Sequence, residues 1–326
     1  MPEATGQWSV VSVRSQLHMN ISVVTCTHNP RPDYLRRLLD ALQAQTLPKE
    51  QWEFLLIDNA SQEPLAGKWG SGWHPHARVI REEELGLTAA RLRGIRESTG
   101  ELLVFVDDDN VLDKNYIQNA IAIAAGYPFI GAFGASIKAE FEEPPAPWIA
   151  PYLPSLAISE IDRDYWSNLY LWSQAFPCGA GMCVRRAVAE DYVRKISTNP
   201  FRKTLDRTGT ALTSGGDDDL ALCAVDLGMG TGRFRSLSLT HLIPKNRLTL
   251  DYITRLQAGQ AFSYLLLQSF RTTTIPREIP EWRVLLRLGL SIAQAPRWKW
   301  GILIAVHKAK REARLRIASQ RAKCNR

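Results

Sequence analysis

The sequence predicts an α/β protein: a mostly parallel central sheet with helices on both faces, followed by a basic amphipathic helical tail. Three observations carry this. Short apolar runs alternate with segments of helical periodicity in the order β-α-β-α-β. Polar and acidic residues gather where those runs end. The basic charge is concentrated in the final segment.

Residues 21–25, Ile-Ser-Val-Val-Thr, read as a buried first strand broken by Thr27-His28-Asn29-Pro30. Asp33 reads as the cap of a helix carrying Leu35, Leu38, Leu39 and Leu42 at helical spacing. Residues 54–57 form a second strand, ended by Asp58-Asn59-Ala60-Ser61, and residues 78–80 a short third. Residues 88–98 read as a helix bearing Arg91 and Arg93, and residues 102–106 as a fourth strand ending in Asp107-Asp108-Asp109. In such sheets ligands bind outside the carboxyl ends of the strands. The turn at Thr27–Asn29, Asp58 and the triplet therefore share one rim.

The pattern then changes. Residues 119–137 suggest a helix, a turn and a strand. Residues 140–154 contain five Pro and read as a loop over the rim. Tyr165, Trp166, Tyr170 and Trp172 serve either packing or a wall that stacks on sugar faces. The turn Pro177-Cys178-Gly179-Ala180-Gly181-Met182 precedes a short strand and lacks the G-x-x-x-x-G-K-[ST] spacing, and no G-x-G-x-x-G follows the first strand. A second triplet, Asp217-Asp218-Asp219, follows Ser214-Gly215-Gly216 and opens a helix expected over residues 220–227. His241 ends an expected strand at residues 238–240.

Composition bounds the answer. The chain has 326 residues, 45% hydrophobic, with ten Trp, enough for a sizeable core in one large domain or two smaller ones. Five scattered Cys (26, 178, 183, 223 and 324) read as thiols of a reducing compartment rather than a disulfide or zinc framework. The N-terminus lacks a signal-peptide pattern, so residues 1–19 read as a loose leader. Residues 281–326 hold twelve Lys/Arg against two Glu, a net +10, which leaves −3 for residues 1–280 of a +7 chain. Trp282, Trp298, Trp300 and the run Gly301–Val306 are interleaved with those charges. This favours an interfacial helix on an anionic membrane over a nucleic-acid partner, and no apolar run reaches a membrane span. The competing reading of the tail is a solvated helix packed by one face on the body.

Clustered carboxylates repel, and a divalent cation relieves that cost. Carboxylate oxygens suit Mg or Mn, which bridge phosphates. The first triplet thus reads as a metal site or as a solvated acidic turn. The second supplies a catalytic carboxylate, and one member is a candidate helix cap.

Taken together, five segments resemble the inverting family 2 glycosyltransferases. Ile21-Ser22-Val23-Val24-Thr25-Cys26-Thr27-His28-Asn29 resembles their opening strand, and Leu56-Ile57-Asp58-Asn59-Ala60-Ser61 their "VDNxS" element. Residues 84–95 are similar to the "N-x-G-x-x-x-A-R-N-x-G" helix, residues 100–109 to the "GE…FLDxD" strand with its DXD motif, and residues 215–220 to "GxDxEL". Residues 240–248 are similar to a tract of polysaccharide-assembly transferases, including cyanobacterial ones. The resemblance covers roughly residues 20–260, leaving 261–326 as a helical basic region. Two departures stand out. Leu92 and Arg93 replace the usual Asn, and Gly216-Asp217 replaces the commoner Glu-Asp, leaving open which aspartate is the base.

The resemblance implies a Rossmann-like GT-A fold, a UDP-, GDP- or dTDP-sugar donor, a glycan or lipid-linked glycan acceptor, and Mn or Mg. It implies that Asp58 accepts from the donor's base, that Thr27 and Arg91 approach the base or nucleotide, that Asp108 faces the ribose, and that Asp107 and Asp109 belong to the metal motif. Asp217 aligns as the general base, with Asp218 the alternative. His241 is either a further metal ligand or a structural residue. Lys245 and Arg247 are candidates for the diphosphate. The expected location is cytoplasmic, peripheral at the inner membrane face if the tail binds lipid.

Two competing readings remain at this stage. A sugar-1-phosphate nucleotidyltransferase needs a Gly-rich basic loop after the first strand, and residues 25–31 contain neither Gly nor Lys. A non-catalytic surface-binding protein led by the tail leaves both triplets without a role.

Overall fold

The computed structural model describes residues 21–324 apart from 70–71, 171–173, 210 and 272–279. The expected leader and Trp172 lie outside the described residues. Nine strands form one sheet: β1 (Ile21–Thr27), β2 (Trp52–Asn59), β3 (Ala77–Glu82), β4 (Leu102–Phe105), β5 (Asn110–Leu112), β6 (Ile130–Phe141), β7 (Tyr165–Ser167), β8 (Met182–Arg185) and β9 (Gly230–Ile243). Their order is β3-β2-β1-β4-β8-β6-β9-β5, with β7 paired to β9.

The expected parallel sheet is present from β3 through β4. Strands buried on both faces read as near-continuous apolar runs, which is why these were legible. Ile21, Val23, Phe54 and Leu56 point to one face, where α1 (Pro32–Gln43) lays Leu35, Leu38 and Leu42 and α3 (Tyr116–Gly126) lays Tyr116, Ile117 and Ala120. Val24, Leu55 and Ile57 point to the other, against α2 (Leu87–Glu97), α4 (Arg186–Thr198) and α5 (Gly216–Asp226). Beyond β4 the sheet is mixed. β8 runs antiparallel to β4 and β6, β6 and β9 run parallel, and β5 is antiparallel to β9.

Several local expectations need correction. Asp33 does not cap α1. Pro32 starts the helix, Arg31 holds the cap position, and Asp33 lies in the first turn, ion-paired to Arg31 at 2.7 Å. Helix α5 starts at Gly216, so the second triplet occupies its first turn, where carboxylates complement the helix dipole. The Pro-rich stretch is not all loop: β6 extends to Phe141, and a 3₁₀ segment spans Pro147–Leu156.

The tail divides into unlike parts. The boundary drawn at residue 260 falls inside α6 (Leu250–Arg271). α8 (Trp300–Cys324) packs along α6, burying Ile302 and Ala313 among Leu256, Phe262 and Leu266, with Val306, Ala309 and Ile317 partly buried beside them. α7 (Glu281–Gln294) buries no residue. No helix among the described residues is long and apolar enough to cross a membrane.

Candidate active site

The first triplet connects the two halves of the sheet. β4 delivers it beside β1, where the Val106 amide donates to the Val24 carbonyl at 3.0 Å. β5 then leaves antiparallel to β9, with Asn110 opposite His241. That pairing carries Asp109 to His241: Oδ2 lies 3.3 Å from Nε2. Arg247, one 3₁₀ turn beyond β9, reaches the same pair. Its Nη2 is 2.9 Å from Asp109 Oδ2 and its Nη1 3.2 Å from His241 Nε2.

A cavity of about 350 Å³ opens on this rim. Thr27, Arg91, Asp107, Asp108, Asp109, Asp217, His241 and Arg247 all line it, so eight of the residues singled out in the sequence converge. The Thr27 hydroxyl donates to Asp108. Burial and then the Asp109 charge push the Asp108 carboxyl up to about 7. The same causes raise Asp107. Burial also opposes ionisation of Asp109, but His241 and Arg247 hold its carboxyl well below the usual range. The triplet therefore contains one firmly ionised carboxylate and two in which repulsion and burial favour the proton.

Asp217 enters from the opposite wall. Its Oδ2 accepts from the Gly179 amide at 2.8 Å. A Cβ at Gly179 would sit 3.0 Å from both that oxygen and Arg91 Nη2. The Gly-rich turn is thus a cradle for a carboxylate and a guanidinium. Asp218 does not line the cavity, and burial followed by the Asp217 charge raises its carboxyl well above the ordinary range. Asp219 is fully buried and bonded to Arg202 and Arg271, at 2.5 and 2.9 Å.

Two other expected residues lie elsewhere. Asp58 is 2% exposed and accepts from the Ser61 and Leu65 amides at 3.1 Å and from Arg81 Nη1 at 2.9 Å. Burial raises its carboxyl, these donors outweigh it, and the net shift is downward. It shapes the loop after β2, while Asn59 lines the cavity. Lys245 is largely exposed, 3.6 Å from Glu143, on the same 3₁₀ turn as Arg247. Tyr165, Trp166 and Tyr170 do not line the cavity; Trp166 instead packs edge-on to Phe129 at 5.1 Å.

Sequence reasoning missed Asp206 and Arg207. Asp206 is buried and accepts from Thr88 Oγ1 at 2.9 Å and Arg91 Nη1 at 3.0 Å. It explains the departure at Gly216, where any Cβ would fall 2.1 Å from Asp206 Oδ2. Arg207 lines the cavity facing the acids. Both sit in an irregular turn with no periodicity to mark them. That Gly at 216 was the available signal.

The sequence signature of glycosyl transferase family 2 matches residues 22–193, more than half of the chain. The chain belongs to glycosyl transferase family 2. It has a GT-A fold. The glycosyltransferase AglE of Haloferax volcanii is 28% identical over 109 residues, 32% of this chain and 36% of that protein. The match thus spans about a third of that curated relative's length. The succinoglycan biosynthesis protein ExoM of Rhizobium meliloti is 23% identical over 262 residues, covering 77% of this chain and 75% of its own. Among solved structures, GalNAc-T7 with UDP, GalNAc and Mn²⁺ overlays with a TM-score of 0.50 at 16% identity, covering 87% of this chain and 56% of that chain.

The donor set bears on a metal. Asp109 Oδ2 and His241 Nε2 lie close enough for one ion to meet both, and the buried His241 Nδ1 has no hydrogen-bond partner among the described residues. Carboxylate and imidazole suit Mn. The fit requires Arg247 to yield the two atoms it holds. Asp191, Cys223 and Asp226 also gather within 4.8 Å of one another, but Lys195 pairs with both carboxylates, Arg194 with Asp191 and Arg271 with Asp226, so their charge is already met. That group is an ion-pair cluster linking α4 to α5.

Proposed function

We propose that this glycosyltransferase transfers a sugar from a nucleotide-diphospho-sugar to an acceptor hydroxyl with inversion at the anomeric carbon, in polysaccharide or glycan assembly. The observation that carries this is the convergence of the first triplet, His241, Arg247, Arg91 and Asp217 on one cavity. The family and the likeness to ExoM over most of both chains support the biosynthetic setting.

Inversion by direct displacement needs a base for a weakly nucleophilic hydroxyl. Asp217 takes that role. Its Oδ2 is fixed by the Gly179 amide, and its other oxygen remains for the acceptor proton. The Arg91 guanidinium lies beside it, both groups packed against Gly179. Asp218 remains the alternative base, disfavoured because it does not line the cavity. Asp109 and His241 would hold Mn or Mg, with Asp107 beside them. Bound there, the ion supplies Lewis-acid stabilisation of the departing diphosphate. Arg247 and Arg207 add positive charge facing the leaving group, the first suited to bidentate contact. Thr27, Asn59 and Asp108 border the nucleotide side, with Asp58 shaping the loop beneath.

A thermal-shift screen with UDP, GDP and dTDP, each with Mn or Mg, tests the donor. One nucleotide should stabilise the protein in a metal-dependent way. NMR of the product then reports the anomeric configuration: inversion is expected, and retention would refute the single-displacement role of Asp217.

A further inference from the structure

We propose that the outward face of α7 docks on an anionic lipid surface, lying in the plane of the interface. Trp282, Leu285, Leu286 and Leu290 are 51–61% exposed. At the helical repeat these four, with Gly289 and Ala293, share one arc of about 140°. The stripe formed by Val284, Leu288 and Ile292 adjoins that arc on the Leu285 side and is half-buried. The apolar surface of the helix is therefore continuous, and its outer part has no protein cover among the described residues. Arg283 and Arg287 flank the open arc. Trp298 and Trp300, both 39% exposed, extend the aromatic surface past the helix end.

Charge selects the occupant. Residues 281–326 carry a net +10. A second copy of the chain would bring the same cationic rim against this one. Anionic headgroups complement it, and an apolar face with Trp and Arg at its margins is the pattern of an interfacial helix. The face is also coupled to the cavity. Trp298 packs against Trp148 at 5.4 Å, in the 3₁₀ segment whose end, Ser155 and Leu156, lines the cavity wall. Docking through α7 thus fixes the cavity relative to the bilayer, as a lipid-linked acceptor requires. Lipid binding itself stands apart from the chemistry proposed above.

This reading differs from one that gives the whole tail to lipid. α8 covers α6, so cutting the chain at residue 280 would strip the core rather than only an anchor. The test therefore uses the full chain, co-sedimented with vesicles of phosphatidylcholine, with or without phosphatidylglycerol, at low and high salt. Wild-type protein should sediment with the anionic vesicles and release as salt rises. A Leu286→Glu, Leu290→Glu protein should lose on the order of tenfold in partitioning, since binding scales with buried apolar area. Its melting temperature should be unchanged, because both side chains face outward. Failure of the wild type to bind anionic vesicles at low salt would overturn the proposal. So would undiminished binding by the double variant, or a dimer in sedimentation equilibrium that the same two substitutions dissolve.

Discussion

The two aspartate triplets look alike in sequence and divide their work differently. Asp107–Asp109 bridges β4 and β5, and its last member is held by His241 and Arg247. Asp217–Asp219 occupies the first turn of α5, and its last member is locked by Arg202 and Arg271 away from the cavity. In the first triplet all three carboxylates reach the cavity; in the second, Asp217 does and the other two do not. The difference comes from backbone. A turn between strands presents successive side chains to one space, whereas a helix sends successive side chains about 100° apart. Identical acidic runs thus give a cluster in one place, and a single cavity-lining carboxylate with a structural anchor in the other.

The largest effect that sharpens this contrast is on stability. Asp219→Ala leaves two buried guanidiniums short of a partner and should cost about 3–5 kcal/mol in urea unfolding. Asp217→Ala, in the cavity wall, should change stability by about 1 kcal/mol or less. Similar losses for the two would break the division within α5.

A second prediction concerns the cation at the first triplet. Arg247 bonds the two atoms a metal needs, so Arg247→Ala should strengthen Mn binding to the nucleotide-free protein. A charged hydrogen bond is worth about 1.5–3 kcal/mol, which sets the gain at roughly tenfold or more. With nucleotide diphosphate present, the same variant should bind nucleotide more weakly. Calorimetric titrations with and without nucleotide read both signs; weaker Mn binding in its absence would show that Arg247 supports the ion instead of competing with it.

A smaller effect is expected at Gly179. The added methyl of Gly179→Ala crowds Asp217 and Arg91. Overpacking costs about 1–3 kcal/mol, so kcat should fall on the order of tenfold while Mn-dependent nucleotide affinity holds. A fall in nucleotide affinity with kcat preserved would move Gly179 to the donor side.

Much of this was legible in the sequence because apolar strands and acidic strand ends carry local signals. The turn at Thr27 and the first triplet were found that way, Arg91 and Asp217 by the resemblance to family motifs, and His241 by its place at a strand end. The meeting of His241 with Asp109 was not legible, since it depends on β5 and β9 pairing from residue 110 to residue 241. Asp206 and Arg207 stayed hidden because an irregular turn has no period. Lys245 and Arg247 share one 3₁₀ turn, yet Arg247 reaches Asp109 while Lys245 lies by Glu143, a difference that adjacency in sequence does not carry. In the tail, net charge obscured a signal that was present. Ile302, Val306, Ala309, Ala313 and Ile317 follow helical spacing, and they are the positions α8 lays on α6.

The central claim is that the first triplet serves the donor and the second the acceptor. The most direct measurement sets Asp109→Asn beside Asp217→Asn, recording Mn-dependent nucleotide affinity and turnover for each. Asp217→Asn should keep the affinity and lose on the order of 10²–10⁴ in kcat, as for a general base. Asp109→Asn should lose both the affinity and transfer. An Asp217→Asn enzyme that turns over normally while Asp218→Asn is inactive, or an Asp109→Asn protein with unchanged Mn-dependent affinity, would contradict the account.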